Sequence, residues 1–488
     1  MKQSMPKNPG QLPIKLDSTS NGEFCPIALE KPQIMANEMA NQVIHNAAKK
    51  TGQARRQFVK SSCGAAATLM AFNSAYARFG LSGGQFQLAP EAAHEPAAAE
   101  EFLADREFIF DVQGHFVNPN GDWLNRVPEG ARPLSSMPKA QCDLAKGEAQ
   151  RAYLDCLGSD EFIKDVFMDS DTDLMVLSFV PSDAENEPLT IEEADATRKI
   201  IEEMDGDHRI LLHGRVNPNQ PGDLEAMDAL AQEWQISAFK TYTQYGPGGK
   251  GYWLTDDVGE AMIEKARKLG VKNICIHKGI PFGPQSFEHS RCDDIGAAAK
   301  RHPDMNFIVY HSGFDHGHKE THFKPDNENR GVDSLIHSVL KHGIQPNSNV
   351  YAELGSTWRF LMRDPNQAAH ALAKMIKYVG VDNVLWGTDS IWYGSPQDQI
   401  QAFRTFQISD TFQQQFNYQP ISAADKAKIF GLNATKPYQI SASEVAKFIQ
   451  QDDIAQNKQN YLNNPTPHFN TYGPKTRREF LNLMQWGG

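Results

Sequence analysis

Eight short apolar runs, each followed by a helical stretch, set the strongest limit on how this 488-residue chain can fold. The predicted strands lie near residues 108, 174, 209, 236, 272, 306, 349 and 383. Strands that alternate with helices in this number are typical of an α/β fold of the (β/α)8 TIM-barrel type. A doubly wound open sheet is the competing architecture. The sequence shows no G-x-G-x-x-G motif after the first strand and no phosphate loop, which favours the barrel.

The chain divides into four predicted parts. Residues 1–77 form a leader, 78–105 a linker or arm, 106–440 the barrel, and 441–488 a C-terminal helical extension. Within the extension, helices are predicted over residues 444–457 and 476–486. The extension is expected to pack on the barrel or on a second subunit, so a homodimer is one open expectation.

The leader ends in an ordered set of parts: paired arginines, an aromatic residue, a lysine, a modest alanine-rich run and an A-x-A site. These are Arg55-Arg56, Phe58, Lys60, Cys63 to Phe72 and Ala75-Tyr76-Ala77. The order resembles a twin-arginine signal cleaved after Ala77. It implies the twin-arginine export machinery as a partner and a periplasmic or secreted protein, or a cytoplasmic one if the signal is not used. The alternative is a small amphipathic helix with a basic start.

Composition excludes some classes of function. The formal net charge of −12 argues against a general nucleic-acid binder, which would have a basic surface. There is no run of 18 apolar residues, so no membrane-spanning helix is expected. Among the cysteines, Cys142 and Cys156 could form a disulfide in an oxidising compartment.

Polar residues follow four of the predicted strands where the strands end. The first strand ends in Gln113 and His115, the fifth in His277, the sixth in His311 and the eighth in Asp389. Chemistry in such a barrel occurs at the carboxyl ends of the strands, so these side chains are expected to meet. A single histidine after an apolar run is usually structural, but three histidines and a carboxylate at four strand ends indicate a site for a divalent metal.

Three segments resemble the amidohydrolase superfamily, and within it the amidohydrolase-2 group, which includes aminocarboxymuconate-semialdehyde decarboxylase. They are Tyr310-His311-Ser312-Gly313, Trp386-Gly387-Thr388-Asp389-Ser390 and the helix over residues 424–434. The resemblance covers residues 106–440. It implies that His115, His277 and Asp389 bind the metal and that His311 binds it or polarises the substrate carbonyl. It also implies that Asp389 takes a proton from metal-bound water.

The expected cofactor is one divalent ion. Zinc suits a set of nitrogen and oxygen ligands best, and manganese or iron could fill the same site. Held by histidine and carboxylate ligands, such an ion keeps a position open for water and lowers the pKa of that water.

Position 113 departs from the family pattern, which usually has a histidine two residues before His115. This chain has Gln113, whose amide oxygen is a weak ligand compared with imidazole or carboxylate. Three consequences are open. Gln113 binds the metal through its oxygen, or it only hydrogen-bonds a metal-bound water, or the metal is loosely held and catalysis is feeble. Asp111 is predicted to support the strand end rather than to bind metal.

Four further residues are expected near a small-molecule substrate, each with a structural role as the alternative. Lys240 ends the fourth strand, and Glu353 ends the seventh, where it could hydrogen-bond a ligand histidine. Arg215 ends the third strand and could hold a substrate carboxylate. Trp392 follows the eighth strand.

The sequence therefore predicts a metal-dependent hydrolase that uses a metal-activated water on an amide, ester or lactone carbonyl. A metal-dependent, non-oxidative decarboxylase of an aromatic or unsaturated acid is the alternative that the same group contains. A non-catalytic metal- or ligand-binding barrel is the third expectation, motivated by Gln113.

Overall fold

An eight-stranded parallel sheet forms the centre of the protein. The computed structural model describes residues 11–17, 19–20, 24–126, 154–204, 208–281, 286–450 and 452–485. The strands pair in sequence order. They are β1 (Phe110–Gly114), β2 (Leu174–Leu177), β3 (Ile210–Arg215), β4 (Ala238–Tyr242), β5 (Asn273–His277), β6 (Asn306–Tyr310), β7 (Val350–Glu353) and β8 (Val384–Leu385).

The sheet closes on itself because β1 also bonds the segment that contains β8. The Val112 N–H donates to the Trp386 carbonyl over 3.0 Å, and the Asp389 N–H donates to the Gln113 carbonyl over 3.0 Å. Gly114 bridges Ser390 in parallel. The predicted α/β barrel and its eight strands are confirmed, and an open sheet is excluded.

Helices surround the barrel between its strands. They are Ile191–Glu203, Asp223–Glu233, Asp257–Lys268, Ile295–Arg301, Val332–His342, Thr357–Leu361, Pro365–Met375 and Gln397–Thr405. Local sequence sets their ends: Thr190 and Glu193 form a capping box at the start of Ile191–Glu203. Gly343 ends Val332–His342 in the left-handed conformation, with φ of 68°.

The N-terminal part packs against the barrel helices. Its helices are Lys31–Thr51, Arg55–Val59 and Ser62–Ala77. Helix Ser62–Ala77 contacts Lys31–Thr51 and Gln397–Thr405, and most of its side chains are buried. A helix that is apolar all round belongs in a protein interior, which accounts for the apolar run that resembles an export signal. Export by that signal stays a prediction.

The predicted linker over residues 78–105 has regular structure. Strand Gly84–Phe86 pairs antiparallel with Phe406–Ile408. A short 3-10 turn, Pro90–Ala93, and helix Pro96–Leu103 follow. Residues 78–105 were predicted only as a linker or arm, because a three-residue strand carries almost no periodic signal in the sequence.

Helices Asp410–Phe416, Ala423–Ala427 and Asn433–Tyr438 complete the part predicted as the barrel, residues 106–440. The C-terminal extension is helical, as expected, and contains Ala442–Gln450, Asp453–Leu462 and Arg477–Gln485. The predicted helix over 444–457 is divided at Asp452, whose side chain caps the second helix by accepting from the Ala455 N–H over 2.9 Å. Asp452 also forms a buried ion pair with Arg209. Among the described residues, no helix is both long and apolar enough to cross a membrane.

The two ends of the chain meet beside the barrel. The Ser20 N–H donates to the Pro474 carbonyl over 3.0 Å. The Thr19 hydroxyl donates to the Thr471 hydroxyl over 2.6 Å. The adjacent Tyr472 N–H donates to the Trp392 carbonyl over 3.1 Å, which fixes the tail against the segment that follows β8.

A buried polar cluster attaches this tail to the insertion between β1 and β2. Asp165 accepts from His468 over 2.8 Å and from the Tyr472 hydroxyl over 2.9 Å. The described part of this insertion contains helix Ser159–Ile163. Cys156 is disulfide-bonded, while Cys142 lies outside the described residues.

We expect Asp165→Asn to loosen the tail, with a loss of about 2 kcal/mol in the free energy of unfolding, because one buried charge-assisted contact is removed. Burial raises the pKa of Asp165, but His468 and the Tyr472 hydroxyl outweigh burial, and the net shift is downward from 3.8. A carboxyl with a lowered folded pKa stabilises the protein above its unfolded pKa and loses that effect as pH falls through the folded value.

Urea unfolding between about pH 7 and pH 2 tests this. The stability gap between the parent and Asp165→Asn should be largest at neutral pH and should narrow below about pH 4. The matched control is Asp160→Asn, an exposed carboxylate on the same helix. A difference in the free energy of unfolding that does not change with pH would contradict the role assigned to the Asp165 carboxylate.

Candidate metal centre

Strand β1 brings Asp111 and Gln113 to the mouth of the barrel, followed by His115. Asp111 is fully buried and accepts from the Thr388 and Gln113 N–H groups over 3.1 and 3.0 Å. Burial raises the pKa of this carboxyl to about 7, although hydrogen bonds from Thr388 and Gln113 oppose the shift. Asp111 therefore joins β1 to the end of β8, the supporting role that its position predicted.

The imidazole of His115 is held through its ring nitrogen Nδ1. Its Nδ1 lies 3.0 Å from the Ser178 carbonyl, which can only accept, so Nδ1 carries the proton and Nε2 has the lone pair. Nε2 lies 3.1 Å from Asp389 Oδ1. The Trp392 ring stacks on the imidazole at 5.7 Å between centroids. This is how a metal-binding histidine is usually oriented.

His311 is oriented in the same way from β6. Its Nδ1 lies 2.6 Å from the Gly355 carbonyl, and its main-chain N–H donates to Glu353 over 3.0 Å. Burial lowers the pKa of His311 to about 4, with Lys240 adding to the effect and Asp389 opposing it. The imidazole is thus neutral at pH 7 and its Nε2 is available as a ligand.

His277, at the end of β5, contacts His311 edge to face, with ring centroids 4.5 Å apart. Its Nε2 lies 3.4 Å from the Ile280 carbonyl. Burial lowers the pKa of His277 well below 6.5, and His311 and Lys240 contribute to that shift. His277 is therefore a second neutral imidazole beside His311.

Asp389 follows β8 and is held through both carboxylate oxygens. Oδ1 accepts from Gln113 Nε2 over 3.0 Å, and Oδ2 accepts from the Ser356 hydroxyl. Burial acts to raise the pKa of Asp389, but His115, His311 and Ser356 outweigh it and lower the pKa to about 2. The carboxylate is ionised at neutral pH.

The backbone around these residues is strained. His311, Ser312, Ser356 and Asp389 have φ values of 63°, 52°, 52° and 60°. Residues with a Cβ rarely adopt this left-handed region, and such conformations concentrate at functional sites.

The side-chain amide of Gln113 lies within hydrogen-bond distance of both His115 and Asp389. Its Nε2 lies 3.0 Å from Asp389 Oδ1 and 3.3 Å from His115 Nε2. Its Oε1 finds no hydrogen-bond partner among the described residues and lies so near Gly355 that a Cβ there would come within 2.1 Å. Rotation of the amide by half a turn would present this buried oxygen to the His115–Asp389 pair instead.

The donor chemistry fits a divalent ion. Two neighbouring ligand atoms on an ion with bonds of about 2.1 Å lie about 3 Å apart, which is the separation of His115 Nε2 and Asp389 Oδ1. The possible ligand atoms of the histidines and the aspartate at the barrel mouth do not all lie this close to one another. Within the part of the chain that the structure describes, the group whose donor atoms all lie within 4.8 Å of one another is Glu161, Asp165 and His468.

That second group is better explained as the tail attachment. The Asn470 N–H donates to His468 Nδ1 over 3.3 Å, so the proton of this imidazole is on Nε2, which faces Asp165. A metal ligand needs the lone pair at that nitrogen.

The residues expected near a substrate have varied surroundings. Arg215 is buried and forms ion pairs with Glu187 and Asp223, so its guanidinium is committed to two internal carboxylates. Glu353 accepts from the main chain of His311 rather than from its ring. The ammonium of Lys240 lies 3.5 Å from the centroid of the Tyr310 ring.

Ser356 and Tyr393 also belong to the site, although neither was predicted to bind metal or substrate. Ser356 donates to Asp389, and its Oγ lies 2.7 Å from the Tyr393 hydroxyl. Serine and tyrosine in loops carry no distinctive spacing, so the available signal was only their position just after β7 and β8.

A parallel barrel whose strand ends bring histidines and an aspartate to its mouth defines the class of this protein. The chain belongs to the amidohydrolase family: the family model Amidohydro_2, described as Amidohydrolase, matches residues 158–440, more than half of the chain. The match begins after β1, so Gln113 and His115 lie outside it. No curated protein gives a significant match.

Several solved structures align with the barrel at low identity. A 2,6-dihydroxybenzoate decarboxylase from Rhizobium is 16% identical over 69% of this chain and 99% of its own, with a TM-score of 0.40. A manganese complex of 5-carboxyvanillate decarboxylase from Novosphingobium aromaticivorans is 14% identical over 69% and 97%, with a TM-score of 0.42. An uncharacterised TIM-barrel protein from Bordetella bronchiseptica is 12% identical over 69% and 100%, with a TM-score of 0.43. Likenesses this distant carry no argument about activity.

We expect Gln113→His to raise the affinity for Zn²⁺ by about tenfold or more, because imidazole is a better zinc ligand than an amide. Competition with a chromophoric chelator measures the change. The control is Gln399→Asn, a buried glutamine that bonds the Thr388 carbonyl. Equal zinc affinity in the parent and Gln113→His would show that side chain 113 does not reach the ion.

Proposed function

We propose that this protein is a metal-dependent, non-oxidative decarboxylase of an aromatic or unsaturated carboxylic acid. The observation that carries the proposal is the enclosure of the site. His115, His311 and Asp389 are only 2%, 1% and 3% exposed. Removing a carboxylate from water favours loss of CO2, whereas a hydrolase must admit water to the same place.

Aromatic side chains form part of this enclosure. Trp392 stacks on His115, and the Tyr242 ring lies 5.1 Å from that of His277. Both aromatic residues are buried. Flat, apolar walls beside a few polar groups suit a planar ring that carries a carboxylate.

The positive charge that binds the substrate carboxylate is assigned to Lys240. The ammonium of this buried side chain lies 4.9 Å from the centroid of the Tyr242 ring, and that ring lies 5.1 Å from the ring of His277. A substrate carboxylate would be attracted to the same charge, and the low dielectric of the interior strengthens that attraction.

The proton transfer is assigned to Asp389. The substrate binds as a carboxylate and brings no carboxyl proton, so Asp389, which is ionised at neutral pH, takes up one proton from solvent in each turnover. When the bond to the carboxylate breaks, the electron pair stays on the ring carbon and CO2 leaves. Asp389 then gives its proton to that carbon and is ionised again.

His115, His277, His311 and Asp389 would hold the divalent ion, with Gln113 as a weaker oxygen donor. When bound, the ion supplies positive charge that neutralises and orients an anionic substrate. Zn²⁺, Mn²⁺ and Fe²⁺ are all compatible with these donors.

A hydrolase is the second candidate, because an ionised Asp389 next to His115 can also act as a base toward water. In that case an ester, amide or lactone would be the substrate.

The deciding experiment supplies the purified protein with Mn²⁺ or Zn²⁺ and offers two panels of compounds. The first contains carboxyl-labelled aromatic acids, including 2,6-dihydroxybenzoate and 5-carboxyvanillate, after which two of the aligned enzymes are named. The second contains esters, amides and lactones. We expect labelled CO2 from the first panel and no hydrolysis of the second.

Asp389→Asn should lower the rate of CO2 release by about a thousandfold or more with the fold intact by circular dichroism, since general acid–base groups contribute 10²- to 10⁴-fold. The control is Asp382→Asn, an exposed carboxylate just before β8. Turnover retained in Asp389→Asn would refute the assigned role. Hydrolysis without CO2 would favour the second candidate, and bound metal without any turnover would leave a binding barrel.

A further inference from the structure

The second oxygen of Asp389 is held by a short chain of hydroxyl groups. The Ser356 hydroxyl donates to Oδ2, and the Tyr393 hydroxyl lies 2.7 Å from Ser356 Oγ. Ser356 and Tyr393 are each only 1% exposed. The orientation of the Asp389 carboxylate thus depends on the positions of Ser356 and Tyr393.

The stretches of chain that start at Ser356 and at Tyr393 are both hydrogen-bonded to residues 15–17 in the N-terminal part. The ammonium of Lys15 donates to the carbonyls of Tyr393 and Ser395 over 2.9 and 3.1 Å. Three residues after Ser356, the guanidinium of Arg359 donates to the carbonyl of Lys15 and, over 3.0 Å, to that of Asp17.

A buried carboxylate holds this junction together. Asp398 accepts from the Lys15 N–H over 3.1 Å and from Arg359 over 3.1 Å, and its carboxylate lies 3.6 Å from the Lys15 ammonium. Arg359 also lies over the Tyr393 ring, 5.4 Å from its centroid. All four side chains are buried, so solvent does not weaken these contacts.

We propose that Lys15 is a positioning residue for Asp389, and that residues 11–17 are therefore a working part of the active site. The Lys15 ammonium fixes the main chain at Tyr393, and the main-chain carbonyls of Lys15 and Asp17 fix Arg359, three residues after Ser356. The hydroxyls of Tyr393 and Ser356 in turn set the Asp389 carboxylate. The role of Asp389 as proton carrier rests on the proposed function, whereas its positioning by Lys15 does not.

The positioning has a consequence for the N-terminal segment. Cleavage after Ala77 would remove Lys15 together with the residues that hold it. We infer that the functional protein keeps this segment, whichever compartment it works in.

The first test is structural and needs no activity. In a crystal structure of full-length Lys15→Met, we expect the Tyr393 hydroxyl to leave Ser356 and the Asp389 carboxylate to rotate. The control is Lys60→Met, the same substitution in the N-terminal part, which removes a bond to the Pro465 carbonyl rather than one to residues 11–17 or to the barrel mouth. Unchanged contacts among Asp389, Ser356 and Tyr393 in Lys15→Met would overturn the proposal.

The second test uses turnover and separates positioning from general stability. We expect Lys15→Met to lower kcat about 10- to 100-fold with little change in KM, since a misplacement of about 1 Å costs that much. Tyr393→Phe should have a similar effect, and the double variant should be no worse than the poorer single variant, because both act through one chain of contacts. Lys15→Arg should recover part of the rate.

The outcomes separate the two proposals. Multiplicative losses in the double variant, or an equal loss in Lys60→Met, would overturn the positioning role while leaving decarboxylation intact. A parent protein without turnover on any aromatic acid would refute the proposed function. The crystal structure of Lys15→Met would then decide the positioning role alone.

Discussion

Closure of the sheet between β1 and the segment of β8 is the constraint on which the rest of the structure depends. The bonds from Val112 to Trp386 and from Asp389 to Gln113 make a barrel out of an open sheet. The same bonds place Gln113 and His115 beside Asp389, although these residues are more than 270 positions apart. Asp111 reinforces the seam by accepting from Thr388. Because the barrel and the candidate metal site share the contacts between β1 and the segment of β8, a change that opens the barrel also separates Gln113 and His115 from Asp389.

The barrel could be predicted because each of its strands is a continuous apolar run, which is what burial on both faces requires. The parts around it were harder to predict. Helix Ser62–Ala77 has apolar residues on all sides and therefore resembles an export signal as much as a buried helix. The three-residue strand Gly84–Phe86 is too short for periodicity to reveal, and its partner lies more than 300 residues away.

The same division holds for the site. The positions of His115, His277, His311 and Asp389 at the mouth could be predicted because a barrel fixes where its strands end, whereas their binding of a metal stays a prediction. Their hydrogen-bond partners could not, because Ser178, Gly355 and Ser356 have no pattern of their own and act through main-chain carbonyls or one hydroxyl. The commitment of Arg215 to Glu187 and Asp223 also depends on long-range packing. In physical terms, sequence periodicity reports burial but not which buried polar groups will meet.

The contacts that join residues 15–20 to the segments after β8 have a consequence for the order of folding. Lys15 holds the segment after β8, and Ser20 and Thr19 bond Pro474 and Thr471. Each of these contacts joins residues more than 370 positions apart, so its formation closes a very long loop, and non-local contacts of this kind form slowly. The barrel strands, which pair in sequence order, can therefore associate before the mouth is complete, and completion of the mouth becomes a late step in folding.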